Sequence, residues 1–126
     1  MTTPIAYDLT CETRDDHVFA RVRSISLTPD VATQFLRDAR NKLIDSRQAH
    51  LLLEVEVAHA LSDQEVFAFM DNFSGVLSGL RVALVNRDTK NHDNLQFGIR
   101  VSREAGEQYG YFTCPDEALN WLRLDY

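Results

Sequence analysis

The stretch His50–Leu77, HLLLEVEVAHALSDQEVFAFMDNFSGVL, decides how the chain is read. Its first part alternates, with Leu51, Leu53, Val55 and Val57 on one side and Leu52, Glu54 and Glu56 on the other, the two-residue period of a strand over Leu51–Val57. Then the period changes. Ser62-Asp63-Gln64-Glu65 is a capping box, in which the Ser62 hydroxyl and the Glu65 carboxylate satisfy each other's backbone amides at a helix start. Val66, Met70, Phe73 and Leu77 follow at helical spacing. The helix is expected to end near Ser78, because Gly79 suits the left-handed position beyond a helix and Leu80 the hydrophobic contact after it. A strand, a short connection and a helix form half of a crossover unit.

The chain on either side extends that unit. Upstream, Ile5–Glu12 alternates, with Ile5, Tyr7, Leu9 and Cys11 on one face, and His17–Ile25 alternates again after the polar turn Arg14-Asp15-Asp16. So short a connection makes the two strands an antiparallel hairpin. Thr28-Pro29-Asp30 combines a capping hydroxyl, a proline in the first turn and an acid near the positive end of the helix dipole. The helix it opens should run over Pro29–Ser46 with Val31, Ala32, Phe35, Leu36, Ala39, Leu43 and Ile44 as its apolar stripe. Arg37, Asp38, Arg40, Asn41 and Asp45 should face water.

Downstream, Leu80–Asn86 reads as a fourth strand and Arg87–His92 as a polar loop. LQFGIRVS then alternates like a strand, but Asp93-x-x-Gln96 reads as a capping box and Gly106 as a helix stop. A helix over Asp93–Ala105 is the expectation, since a strand there would leave the fifth strand, Tyr109–Thr113, without the crossover that parallel pairing needs. Cys114-Pro115-Asp116-Glu117 starts a terminal helix packed through Ala118, Leu119, Trp121 and Leu122.

The order ββαβαβαβα predicts an α/β fold with a single mixed five-stranded sheet, parallel from the second strand on. Strands covered on both faces read as continuous apolar runs, and these do not. Arg21 and Arg23, Glu54 and Glu56, and Arg81 all fall opposite the aliphatic residues, so the helices should lie mainly on one face, with basic and acidic side chains paired in rows on the other.

Length and composition bound the function. At 126 residues and 44% hydrophobic content the chain is one domain, 1–126, able to bury a core without disulfides or metal. A net charge of −6, with basic residues scattered from Arg14 to Arg123, leaves no footprint for nucleic acid. Cys11 and Cys114 have no ligand spacing, and the four histidines form no HxH or HExxH pattern, so no metal is expected. The first residues, MTTPIAYDLT, lack the charge and apolar core of a leader, and no apolar run reaches membrane length; a cytoplasmic location is the expectation. No cofactor is expected either, because neither GxGxxG nor a P-loop occurs. His59 and Ser62 lie close in sequence, yet there is no GxSxG elbow and no glycine-rich oxyanion segment, so the chain does not read as an enzyme.

Two groups of side chains remain as site candidates. Ligands on parallel sheets sit outside the carboxyl ends of the strands, where His59, Arg87 and His92 fall together with Ser62, Asn86, Asp88 and Lys90. The plain alternative is a set of solvated loops and caps. On the second helix, Phe67 and Phe69 stand off the Val66–Leu77 stripe, so Phe67, Phe69, Met70 and Phe73 are the candidates for a partner surface, a dimer contact or an apolar pocket.

The C-terminal third carries a resemblance. A helix ending in RxxG at Arg103–Gly106, a short strand with Tyr111 and Phe112, and TCPDEALNWL with Asp116, Glu117, Ala118, Leu119, Trp121 and Leu122 resemble the SpoIIAA-like group of STAS/SEC14-type domains. The resemblance implies a bacterial domain of non-enzymatic regulatory or protein-interaction type that acts on a protein partner or a second copy. It also makes Ser62 the counterpart of a phosphorylated serine, although here the serine lies in Leu61-Ser62-Asp63-Gln64 rather than in an Asp-Ser pair. The alternative it implies is a carrier or sensor of a small apolar ligand or lipid, with a pocket under the second helix.

Overall fold

The computed structural model describes residues 7–73, 79–87 and 91–124, without the side chains of residues 25, 26 and 70–73. Along the chain run β1 (Asp8–Thr13), β2 (Val18–Ser26), α1 (Pro29–Ser46), β3 (His50–His59), α2 (Asp63–Phe73), β4 (Arg81–Val85), α3 (His92–Glu104), β5 (Gln108–Phe112) and α4 (Pro115–Leu122). The strands lie in chain order, β1-β2-β3-β4-β5. β1 is antiparallel to β2 and every later pairing is parallel, so the mixed α/β sheet has the expected form. The expected end of α2 near Ser78, Leu77 of its stripe, Ile5 of the first strand, and Asp88 and Lys90 all lie outside the described residues. So do the side chains of Met70 and Phe73.

Because each crossover steps to the adjacent strand with the same hand, α1, α2 and α3 stack on one face. Val18, Ala20 and Val22 of β2, Leu51, Leu53 and Val55 of β3 and Val82 of β4 meet Phe35, Leu36, Ala39, Leu43, Val66, Phe69, Leu95 and Ile99 there, in one continuous core. α4 lies on the reverse face. Ala118 and Leu122 are wholly buried there against Leu52, Ala83 and Val85, with Phe112, Leu119 and Trp121 at the margin. The reverse face is thus divided: its β4–β5 half is covered by α4, where Arg81, expected in the charged row, is instead buried over the Trp121 ring and donates to the Trp121 carbonyl at 2.6 Å, and the β2–β3 part keeps the paired rows.

Those rows follow from register. Arg21 pairs with Glu54 and Arg23 with Glu56 across β2 and β3. The guanidinium of Arg21 lies 3.2 Å from Glu54 and that of Arg23 2.9 Å from Glu56. Arg87, just past β4, pairs with the other Glu54 oxygen. Glu54 is the unusual member, since its side chain is only 3% exposed on a face that otherwise meets water.

Local signals explain the element ends. Thr28 accepts a hydrogen bond from the Val31 amide at 3.1 Å, and Ser62 and Glu65 make the reciprocal capping box at 3.3 and 3.0 Å. Gly106 is left-handed, and the Glu107 amide closes onto the Ser102 carbonyl beyond α3. α1 ends differently, on Arg47 in the left-handed region. The capping box expected at Asp93 does not form. α3 begins one residue earlier, after a left-handed Asn91 that makes no side-chain cap. Instead the Asn91 amide donates to the carbonyls of Val57 and Ala58 at the end of β3, a long-range tie that fixes where the helix starts.

Three helix-face expectations need correction. Ile44 is 54% exposed, because it stands about 100° round α1 from the buried Leu43. Phe69 belongs to the core at 8% exposure: three residues beyond Val66, it lies on the same stripe rather than off it. Asp38, expected to face water, is partly buried and accepts a hydrogen bond from the Tyr7 hydroxyl at 2.5 Å. Burial of the ring, reinforced by that carboxylate, pushes the Tyr7 phenol up to about 12.

Candidate interaction site

α2 and α3 lie side by side with their N-termini at the same edge of the sheet, the one reached by the carboxyl ends of the parallel strands. Asn94 of α3 donates to the Leu61 carbonyl at 3.2 Å, just before α2. Gly98 faces Val66 across the seam, where a Cβ would make an ordinary contact at 3.9 Å. An open groove of about 310 Å³ runs along this seam, lined by Asp63, Asp93, Asn94, Gln96, Phe97 and Arg100. Phe67 stands beside it, 54% exposed, its ring edge-on to Phe97 at 5.9 Å between centroids. The Arg100 guanidinium lies 5.4 Å from the centre of the Phe97 ring. Together they form an aromatic pair, Phe67 exposed and Phe97 half-buried, capped by one cation and flanked by two carboxylates at helix N-termini.

Phe69 points the other way. With Val66, Leu53, Val82, Ile99 and Tyr109 it lines an apolar cavity of about 90 Å³ between the three helices and the sheet. Phe67 and Phe69, two residues and so about 200° apart round the helix, therefore serve different surroundings.

The strand-end candidates also separate. His92, in the first turn of α3, lies 2.8 Å from the Tyr111 hydroxyl, which accepts from the Asn86 amide at 3.1 Å. The hydroxyl proton is then free for His92 Nδ1. This chain holds the start of α3 against β4 and β5 on the helix face. Arg87 turns to the opposite face, onto Glu54. His59 is exposed and its carbonyl accepts from the Leu27 amide, at the entry to α1. Ser62 is exposed and occupied as a cap. Among the described residues no hydrogen bond joins His59, Ser62 and His92, and no group of three or more His, Cys, Asp or Glu side chains is placed to hold a metal ion. Nor does any described helix have the length and apolar character to cross a membrane.

Phe97 and Arg100 were missed as site residues. Once 92–104 is taken as a helix on Leu95, Ile99 and Ser102, Phe97 stands off that stripe just as Phe67 does on α2. Two off-stripe phenylalanines on consecutive helices were the available signal.

Comparison with family models and with curated proteins finds no match. Solved structures do match over the whole chain. One is an uncharacterised protein of the DUF3478 family, with a SpoIIAA-like fold, from Shewanella loihica: it is 19% identical, with 97% of this chain and 98% of that one covered at a TM-score of 0.55. The chain has the SpoIIAA-like fold. An anti-sigma factor antagonist from Mycobacterium paratuberculosis shares that fold at 14% identity and a TM-score of 0.58, over 98% of this chain and 100% of its own. At such identities the SpoIIAA-like architecture is what is shared, and the side chains of the α2–α3 seam have to be judged on their own chemistry.

Proposed function

We propose that this SpoIIAA-like domain is a non-enzymatic regulatory module of the bacterial cytoplasm that binds a protein partner through the seam of α2 and α3. The observation that carries the reading is the exposed Phe67 ring, packed edge-on to the half-buried Phe97 beside the groove, because exposed aromatic side chains next to a groove mark contacts. Asp63 and Asp93 on one side and Arg100 on the other give the partner a pattern to match, an apolar side chain next to a basic one. An anti-sigma factor antagonist among the fold neighbours is consistent with a role of this kind. Two free cysteines suit a reducing compartment. Ser62 enters as a helix cap; its modification would place a phosphate beside Asp63 and Glu65 and break the reciprocal bonds of the box.

The test is Phe67→Asp, which should leave the far-ultraviolet spectrum and thermal midpoint unchanged and abolish partner binding. If sedimentation shows a dimer in the parent and a monomer in the variant, the partner is a second copy. An unchanged complex in a folded variant refutes the reading.

The apolar cavity supports a second reading, a carrier or sensor of a small apolar ligand. About 90 Å³ is well below the ~300 Å³ at which ligand pockets begin, so a lipid would require α2 to move outward. Native mass spectrometry of protein from its own host would detect a retained ligand, and bare protein would dismiss this alternative.

A further inference from the structure

The parallel strands set one polar row across their amino-terminal ends. His50 pairs with Arg81 and Arg81 with Gln108, and His17, one residue before the Val18–Leu51 pair, stands level with His50. Level residues of a parallel sheet point to the same face. Leu52 and Ala83, two residues beyond His50 and Arg81, pack against α4, so the row lies on the reverse face. An open groove of about 400 Å³ lies here, beside the last turn of α4, and its polar lining is His50, Arg81, Gln108 and Arg123.

In a chain of net charge −6, two guanidinium groups, an imidazole and a primary amide meet at this groove, and no carboxylate is among its lining residues. Arg81 is a fixed charge. It is stacked on the Trp121 ring, and its bond to the Trp121 carbonyl offsets the negative end of α4, which would otherwise repel an anion. Arg123 commits its Nε to Asp16 at 2.7 Å, and Asp16 is also bonded to His17 Nδ1. The terminal nitrogens of Arg123 and the side chains of His50 and Gln108 make no hydrogen bond to a described residue. Burial of the imidazole, with the Arg81 charge beside it, pushes His50 below its ordinary range, so at pH 7 it is neutral and has one N–H to donate.

We propose that this groove binds a phosphate group, as the free ion or as the head of a small phosphate monoester, with Arg123, His50 and Gln108 donating to its oxygens and Arg81 supplying buried positive charge. A carboxylate fits less well. One guanidinium saturates both of its oxygens, whereas a phosphate presents enough acceptors for donors that converge from β3, β5 and the end of α4. A volume of about 400 Å³ lies toward the lower end of the ligand-pocket range, enough for the ion and a short organic tail. The groove is at the opposite end of the strands from the α2–α3 seam, so either proposal can fail alone.

The experiment titrates the full chain with glycerol 3-phosphate, inorganic phosphate and acetate, followed by calorimetry and by the NMR signals of the His50 ring and the Gln108 side-chain amide. A phosphate ligand should bind at least tenfold more tightly than acetate and shift both signals. Tighter binding of the ester makes the monoester the ligand, and equal binding makes it the free ion. Gln108→Glu puts a carboxylate at an exposed position of the wall and should weaken binding at least tenfold, with Arg123→Gln acting in the same direction. Asn41→Asp, the same charge change at an exposed position of α1, should alter binding less than twofold. Acetate binding as tightly as phosphate, shifts that leave out His50 and Gln108, equal effects of Gln108→Glu and Asn41→Asp, or failure of all three probes to bind would overturn the proposal.

Discussion

The Glu54 cluster makes an asymmetric prediction. Its carboxylate is 3% exposed, whereas the side chains of Arg21 and Arg87, which hold it from both sides, are 39% and 59% exposed. In Glu54→Leu the two arginines can turn back into water, and leucine is placed beside Leu52 and Val85 on the same face. Replacing a buried charge with a fitting apolar group is close to neutral, so we predict a change within about 1 kcal/mol. In the double variant Arg21→Met, Arg87→Met the carboxylate stays desolvated with both its cations gone. Breaking a buried pair from one side costs about 3–5 kcal/mol, and the half-exposed partners place this case toward the lower end. Urea denaturation of both variants, with the two single arginine variants to complete the cycle, measures the difference. If Glu54→Leu proves the more destabilising of the two, the argument that the carboxylate is the desolvated member is wrong.

Other consequences are checked in the same assay. A Cβ at Gly110 would stand 2.7 Å from the Phe112 ring and 3.3 Å from Trp121, so Gly110→Ala should cost about 1–3 kcal/mol as α4 is pushed from the sheet, whereas Gly98→Ala, whose Cβ meets only Val66 at 3.9 Å, should not. Arg47 caps α1 in the left-handed region, so Arg47→Gly should stabilise by about 0.5–1 kcal/mol; destabilisation would show that the arginine side chain matters more than its backbone. Hydrogen bonds from Arg123 and His17 hold the Asp16 carboxyl below its ordinary range. Its contribution is therefore present above about pH 4, the unfolded value, and is lost as pH falls below it, so Asp16→Asn should narrow the gap in stability between pH 7 and pH 3. An unchanged gap would show that the hairpin turn is not tied to α4 through Asp16.

Much of the fold was legible because local signals agreed with the global period. The capping box at Ser62, Thr28-Pro29 at the start of α1 and Gly106 after α3 each carry their own geometry, and the charged rows expected if the strands are neighbours take the form of the Arg21–Glu54 and Arg23–Glu56 pairs. What sequence could not supply came from contacts distant along the chain. Asn91 replaces Asp93 at the start of α3 because its amide is claimed by carbonyls some 33 residues earlier. The reverse face is half covered because Ala83, Val85 and Gly110 leave room for α4, a fact that needs the register of β4 and β5. For the site, Phe67 and Phe97 are both off-stripe on their helices, but that the two rings meet is known only from the packing of α2 beside α3.

That pairing is the centre of the functional account, and position-specific cross-linking tests it most directly. A photoreactive phenylalanine analogue placed at Phe67, and in a second protein at the equally exposed Ile44, would be activated in the host cell and the adducts identified by mass spectrometry. The account predicts one discrete protein adduct at position 67, lost on Phe97→Asp, and none at position 44. The same adducts at both positions, or none at position 67 in a folded protein, would contradict it.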